Sequence, residues 1–117
     1  MLKRNYFRWR GVKVAAAGTN EIAFPRVEPK RQYHIARVAV ENETTASTDV
    51  RILVRGHGWD HYEMEQDSPA AATLYWDSDP IELSEGEDLV AKWTGATAND
   101  RLVFYVSGWW VEEARDA

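Results

Sequence analysis

Cysteine is absent from the 117-residue chain, and that absence removes disulfides, thiolate metal sites and cysteine nucleophiles together. Stability must come from packing and hydrogen bonding alone. Long apolar runs are also missing, since none approaches the roughly 18 residues needed to span a bilayer. The start "MLKRNYFRWRG" carries no apolar stretch after its charges, so no export signal is predicted. These absences fit a protein assembled in a reducing cytoplasm. Helical patterning is scarce too: no window sustains apolar residues at three-to-four spacing between caps. At most one helical turn is expected after Ser68 in "SPAAATLYW", because proline is tolerated at a first helical position.

What the chain does contain is strand after strand. "YHIARVAVEN" (33–42) alternates with His34, Ala36, Val38 and Val40 on one face. "DVRILVRG" (49–56) alternates more cleanly, with Val50, Ile52 and Val54 opposing Arg51, Leu53 and Arg55. The small polar "ETTAST" between them has hairpin length, which predicts that the two strands pair. Further on, Leu89, Ala91 and Trp93 share a face, as do Leu102, Phe104 and Val106, and "GATAND" between them predicts a second hairpin. Two short strands are expected around a Gly18-Thr19-Asn20 turn, followed by a proline-punctuated crossover from Pro25 to Pro29. About 100–200 residues make one domain, so the expectation is an all-β antiparallel sandwich, jelly-roll-like, of seven to eight strands. Residues 13–117 would form that domain, and the basic, aromatic residues 1–12 an arm that orders against a partner.

Charge is distributed unevenly. Residues 1–55 carry eleven Lys/Arg against five Asp/Glu, whereas residues 56–117 carry three against fourteen. Two solvated faces would account for this, and so would a basic segment meeting the acidic surface of a neighbouring subunit. Lys3, Arg4, Tyr6, Phe7, Arg8, Trp9 and Arg10 are the candidate interface on the basic side. Nucleic acid is not expected as a partner, because the acidic remainder would repel phosphate.

Catalytic and metal signatures are not found. No Gly-x-Ser-x-Gly elbow surrounds a serine, and no glycine-rich loop precedes a lysine and a helix to cradle phosphate. "GHGWDHYEMEQD" (56–67) places His57 and His61 four apart, a spacing that brings imidazoles together on a helix but leaves them about 13 Å apart on a strand. The run also lacks a calcium-loop framework. No cofactor, metal or catalytic residue is expected. His57, Trp59, Asp60, His61 and Tyr62 read instead as an exposed contact loop.

Six tryptophans are dense for this length. Tyr75-Trp76 and Trp109-Trp110 are adjacent pairs, and neighbours on a strand point to opposite faces, so one ring of each pair is expected outward as a candidate aromatic surface.

Across residues 10–111, a proline-broken strand, an "ENET" hairpin, "PIELSEGEDL" and "WTGATANDRL" ending in "GWW" give the chain a recognisable style. It resembles the small β-sandwich structural proteins of tailed-bacteriophage virions, particularly those that decorate or cement the capsid. That resemblance implies a non-enzymatic virion protein that contacts its own copies, as a trimer or other homo-oligomer, and the major capsid or another virion protein. A neck or tail component is the variant within the same class. A carbohydrate-binding, receptor-recognising module of the same fold is the alternative, using Trp59, Asp60, His61 and Tyr62.

Overall fold

The computed structural model describes residues 3–113, which form nine strands and, among the described residues, no helix. In chain order these are β1 (Asn5–Val14), β2 (Gly18–Ala23), β3 (Arg31–Asn42), β4 (Asp49–Gly56), β5 (Trp59–Asp67), β6 (Tyr75–Asp77), β7 (Ile81–Leu83), β8 (Asp88–Ala96) and β9 (Arg101–Glu112). A five-stranded antiparallel sheet has the order β1-β9-β3-β6, with β7 also on β3, and a four-stranded one has β2-β8-β4-β5. The two pack face to face as an antiparallel β-sandwich. Between them lie Ile35, Val38 and Val40 of β3, Leu102, Phe104 and Val106 of β9, Val50, Ile52 and Val54 of β4, and Leu89, Ala91 and Trp93 of β8. Apart from β3, these are the alternating faces legible in the sequence.

Neither expected hairpin forms. β3 and β4 lie in different sheets, and so do β8 and β9. The physical reason sits at one end of the sandwich, around Asp100, which is buried. One Asp100 carboxylate oxygen accepts hydrogen bonds from Asn42 Nδ2 at 2.9 Å, Thr45 Oγ1 at 2.6 Å and the Thr97 backbone N–H at 2.9 Å. Asn42 Nδ2 also donates to Ser47 Oγ, and its Oδ1 accepts the N–H groups of Thr44 and Thr45. The Asp100 carbonyl accepts from Ala15 N–H, which draws in the β1–β2 corner. Three inter-sheet crossings thus meet at one residue, two at its carboxylate and one at its backbone carbonyl, and short polar connections that look like hairpins serve as corners.

The β1–β2 corner itself is displaced from the expected turn. Gly18, Thr19 and Asn20 belong to β2, and the chain reverses at 15–17. Buried Asn20 closes it, accepting from Ala16 N–H at 3.0 Å and donating to Ala16 O at 2.8 Å. The expected helical turn after Ser68 is likewise replaced by irregular turns, with Ser68 and Ala72 both at positive φ.

The 1–12 arm is also corrected: from Asn5 onward it is β1, paired with β9 at ten successive positions. Its alternation explains why. Phe7 and Trp9 turn inward onto Phe24, at ring-centroid distances of 5.4 Å and 5.1 Å, so the segment has an apolar face of its own to bury. The strand count accordingly reaches nine rather than seven or eight.

A β-bulge in β3 changes which of its residues face out. Ile35 pairs with Gly108 and Arg37 with Ser107, so Ala36 is an extra residue. The phase flips there. Ile35 lies inside with Val38 and Val40, and His34, expected on their face, points outward. Gly108 belongs to the same device, because a Cβ at that position would collide with the His34 carbonyl oxygen.

Candidate functional site

The outer face of the five-stranded sheet carries the most distinctive side-chain arrangement. Strand register sets its rows. Tyr6, Trp109 and His34 stand opposite one another on β1, β9 and β3; two residues along β9, Arg8, Ser107 and Arg37 do the same. Two residues further come Arg10, Tyr105 and Ala39, with Trp76 of β6 beside Ala39. A cationic row is thus held between two aromatic rows.

Two adjoining hollows follow this face. One of 540 Å³ is lined by Arg8, Arg37, Ala39, Leu74, Tyr105 and Ser107 among others, and one of 490 Å³ by Tyr6, Arg8, Ala36, Ser107, Gly108 and Trp109 among others. Arg8 and Ser107 border both. The floor is low because Ala36, Ala39, Ser107 and Gly108 have small or no side chains. Among the described residues no carboxylate lines either hollow.

The rings and cations here contact each other. His34 stacks on Trp109 at 3.9 Å and 13°, with its Nδ1 against the Glu82 carboxylate of β7. The Arg4 guanidinium lies 4.4 Å from the Trp109 ring centroid, and that of Arg37 5.2 Å from the Trp76 centroid. Among the described residues, Arg4, Arg8, Arg10 and Arg37 form no ion pair.

The outer face of the four-stranded sheet is the opposite case. Arg55 of β4 reaches across β8 to Glu21 of β2, with bonds of 3.0 and 2.9 Å, and also donates to Asp60 of β5 at 3.0 Å. Hydrogen bonds from Arg55 hold both carboxylates below their usual range, and those same bonds, Glu21 first, raise the guanidinium. Arg51 pairs with Glu65 at 3.0 Å and lies over the Tyr62 ring, and Arg26 pairs with Asp88. Arg26, Arg51 and Arg55 are thus each paired with a carboxylate.

The candidate residues named from sequence therefore divide. Of the N-terminal group, Tyr6, Arg8 and Arg10 reach the outer face, Arg4 joins them over Trp109, exposed Lys3 precedes β1, and Phe7 and Trp9 serve the core. The expected contact loop is a two-residue hairpin turn: His57 and Gly58 have φ of 55° and 82°, both positive as a type I′ turn requires. Beyond it β5 runs back along β4, leaving Trp59 70% and Tyr62 53% exposed. Asp60 is engaged by Arg55 and Tyr62 by Arg51, while His61 stands opposite Val54. Tyr75 packs against the core and Trp76 faces out, as alternation requires. Trp109 joins the outer aromatic row, and Trp110 tilts against Tyr33 with Arg31 3.8 Å from its ring centroid. Sequence reasoning missed Arg37, His34, Tyr105 and Ser107. An arginine in the middle of an otherwise apolar strand was the available signal for Arg37, whereas the bulge that turns His34 outward was not legible.

Among the described residues no three His, Asp or Glu side chains cluster as a metal site. Among the described residues no helix is long and apolar enough to cross a membrane. In sequence comparison the chain matches no family model and no curated protein.

Proposed function

We propose that this chain is a non-enzymatic structural protein of a tailed-phage virion, attached to the capsid shell and to its own copies through its strand edges. The observation that supports this reading most is the opposite charge on two of the open sheet edges, β1 and β5. β1 pairs only with β9, and β5 only with β4, among the described strands. β1 carries Arg8, Arg10 and Lys13 with no acidic residue, and β5 carries Asp60, Glu63, Glu65 and Asp67 with no Lys or Arg. Edge strands are ordinarily blunted by charge against unwanted pairing. Here like edges repel and unlike edges attract, so one copy's β1 is suited to the next copy's β5. A contact of that head-to-tail kind closes into a ring, a trimer included, or continues along a lattice. The resemblance to capsid-decorating sandwiches supplies the setting.

Ultracentrifugation and co-sedimentation with purified shells and tails test the proposal. Self-association and shell binding are expected, with Glu63→Lys/Asp67→Lys and Arg10→Glu/Lys13→Glu each abolishing self-association and an equimolar mixture of the two recovering heterodimers. Binding to tails instead of shells would move the protein to the neck or tail. A chain that stays monomeric and binds neither particle overturns the reading.

A further inference from the structure

We infer that the outer face of the five-stranded sheet is a binding site for an anionic oligosaccharide, whose carboxylate or sulfate groups are taken by Arg8 and Arg37 and whose sugar rings lie on the flanking aromatics. This goes beyond the assembly role proposed above; Arg8 of β1 borders both surfaces, whereas Arg37 and Trp76 belong to this face alone.

Charge complementarity is the first reason. Arg8 and Arg37 flank Ser107 from neighbouring strands on either side, which puts their backbones about 10 Å apart at the usual strand spacing. Both are exposed and, among the described residues, without an ion-pair partner, on a protein whose total charge is -5. Guanidinium forks unspent on the protein's own carboxylates are suited to bidentate contact with an oxyanion. The Ser107 hydroxyl between them can donate or accept.

Ring placement is the second. Tyr105 and Trp109 lie two residues to either side of Ser107 on β9, about 7 Å away along the strand. Trp76 is 58% exposed and Tyr6 72% exposed, one in each aromatic row, and the intervening floor is shallow. Flat apolar surfaces alternating with cations match a chain of sugar rings bearing charged groups at their edges.

The same geometry disfavours other anions. Peptides add to a sheet through free edge N–H and C=O groups, and β9 and β3 in the middle of this face have theirs committed to ladders on both sides. A nucleic acid strand would need a continuous run of cations, yet beyond Arg4 and Arg10 the ends of the face also carry carboxylates, Glu82 beside His34 and Glu41 opposite Val103.

Titration calorimetry and tryptophan fluorescence on the full chain, with oligogalacturonate and a heparin-derived oligosaccharide as probes, test the inference. Saturable binding of one or both, weakened by salt, is expected, and which of them binds assigns the carboxylate or the sulfate. A neutral maltooligosaccharide should bind at least tenfold more weakly. Arg37→Gln and Trp76→Ala should each reduce affinity roughly tenfold or more, while Arg26→Gln on the opposite side changes nothing. Arg37 and Trp76 are exposed positions outside β1 and β5, so the first two variants should fold and leave self-association intact. Failure here is therefore separable from failure of the assembly proposal. No binding of either probe, equal binding of polyglutamate or oligothymidylate, or indifference to Arg37→Gln overturns it.

Discussion

The Asn42 side-chain amide donates to the Asp100 carboxylate at 2.9 Å across 58 positions of sequence. Asn42 ends β3 in one sheet, and Asp100 lies between β8 in the other and β9. The pair is buried, and with Thr45 and Thr97 it satisfies the carboxylate without any cation. Among the described residues no buried side-chain polar atom is left unpartnered.

Removing that carboxylate strands several donors at once. Asp100→Ala is expected to cost about 3 kcal/mol, the scale of hydrogen bonds to a buried charged group. Urea denaturation of the variant checks it, and a loss below about 1 kcal/mol would show that the corner stands without the network.

The same group gives stability a pH dependence. Burial pushes the Asp100 carboxyl up, but the hydrogen bonds from Asn42, Thr45 and Thr97 outweigh it, and the net direction is down. A lowered native value means stability fully present above the unfolded carboxylate value of about 3.9 and lost as pH falls through the native one. Glu21, lowered by its hydrogen bonds from Arg55, adds in the same direction. Urea midpoints should fall between about pH 5 and about pH 3, and less steeply in Asp100→Asn than in the wild type.

Two glycines are expected to respond differently to the same substitution. Gly58 sits at φ 82° with open space where a Cβ would go, so Gly58→Ala costs about 1 kcal/mol of backbone strain alone. Gly108→Ala drives a methyl into the His34 carbonyl and 3.0 Å from the Ala36 nitrogen, and should cost more than about 3 kcal/mol. Comparable thermal midpoints for the two variants would contradict the bulge geometry. His57→Asn should raise stability slightly, since Asn-Gly is a favoured pair for this turn.

In the core, Trp93 is 1% exposed on β8 and is the largest fully buried side chain. Trp93→Ala should cost about 4 kcal/mol, read as a shift of the urea midpoint. A variant within about 1 kcal/mol of the wild type would mean that neighbouring strands collapse to fill the space.

Alternation is a local property, so the inward sets on β4, β8 and β9 and the division of Tyr75 from Trp76 could be read residue by residue. The absence of helical spacing and the succession of short alternating strands likewise pointed to an all-β antiparallel fold. Which strands pair is not local. "ETTAST" and "TAND" suit a hairpin or a corner equally, and burial of Asp100 with Asn42 made them corners. The same holds for the binding face. Arg8, Ser107 and Arg37 are far apart in sequence, and they form one row only because β9 runs between β1 and β3, while the Ala36 bulge, accommodated by Gly108, turns His34 outward onto Trp109. Sequence determined which residues could face in; long-range register decided which outward residues became neighbours.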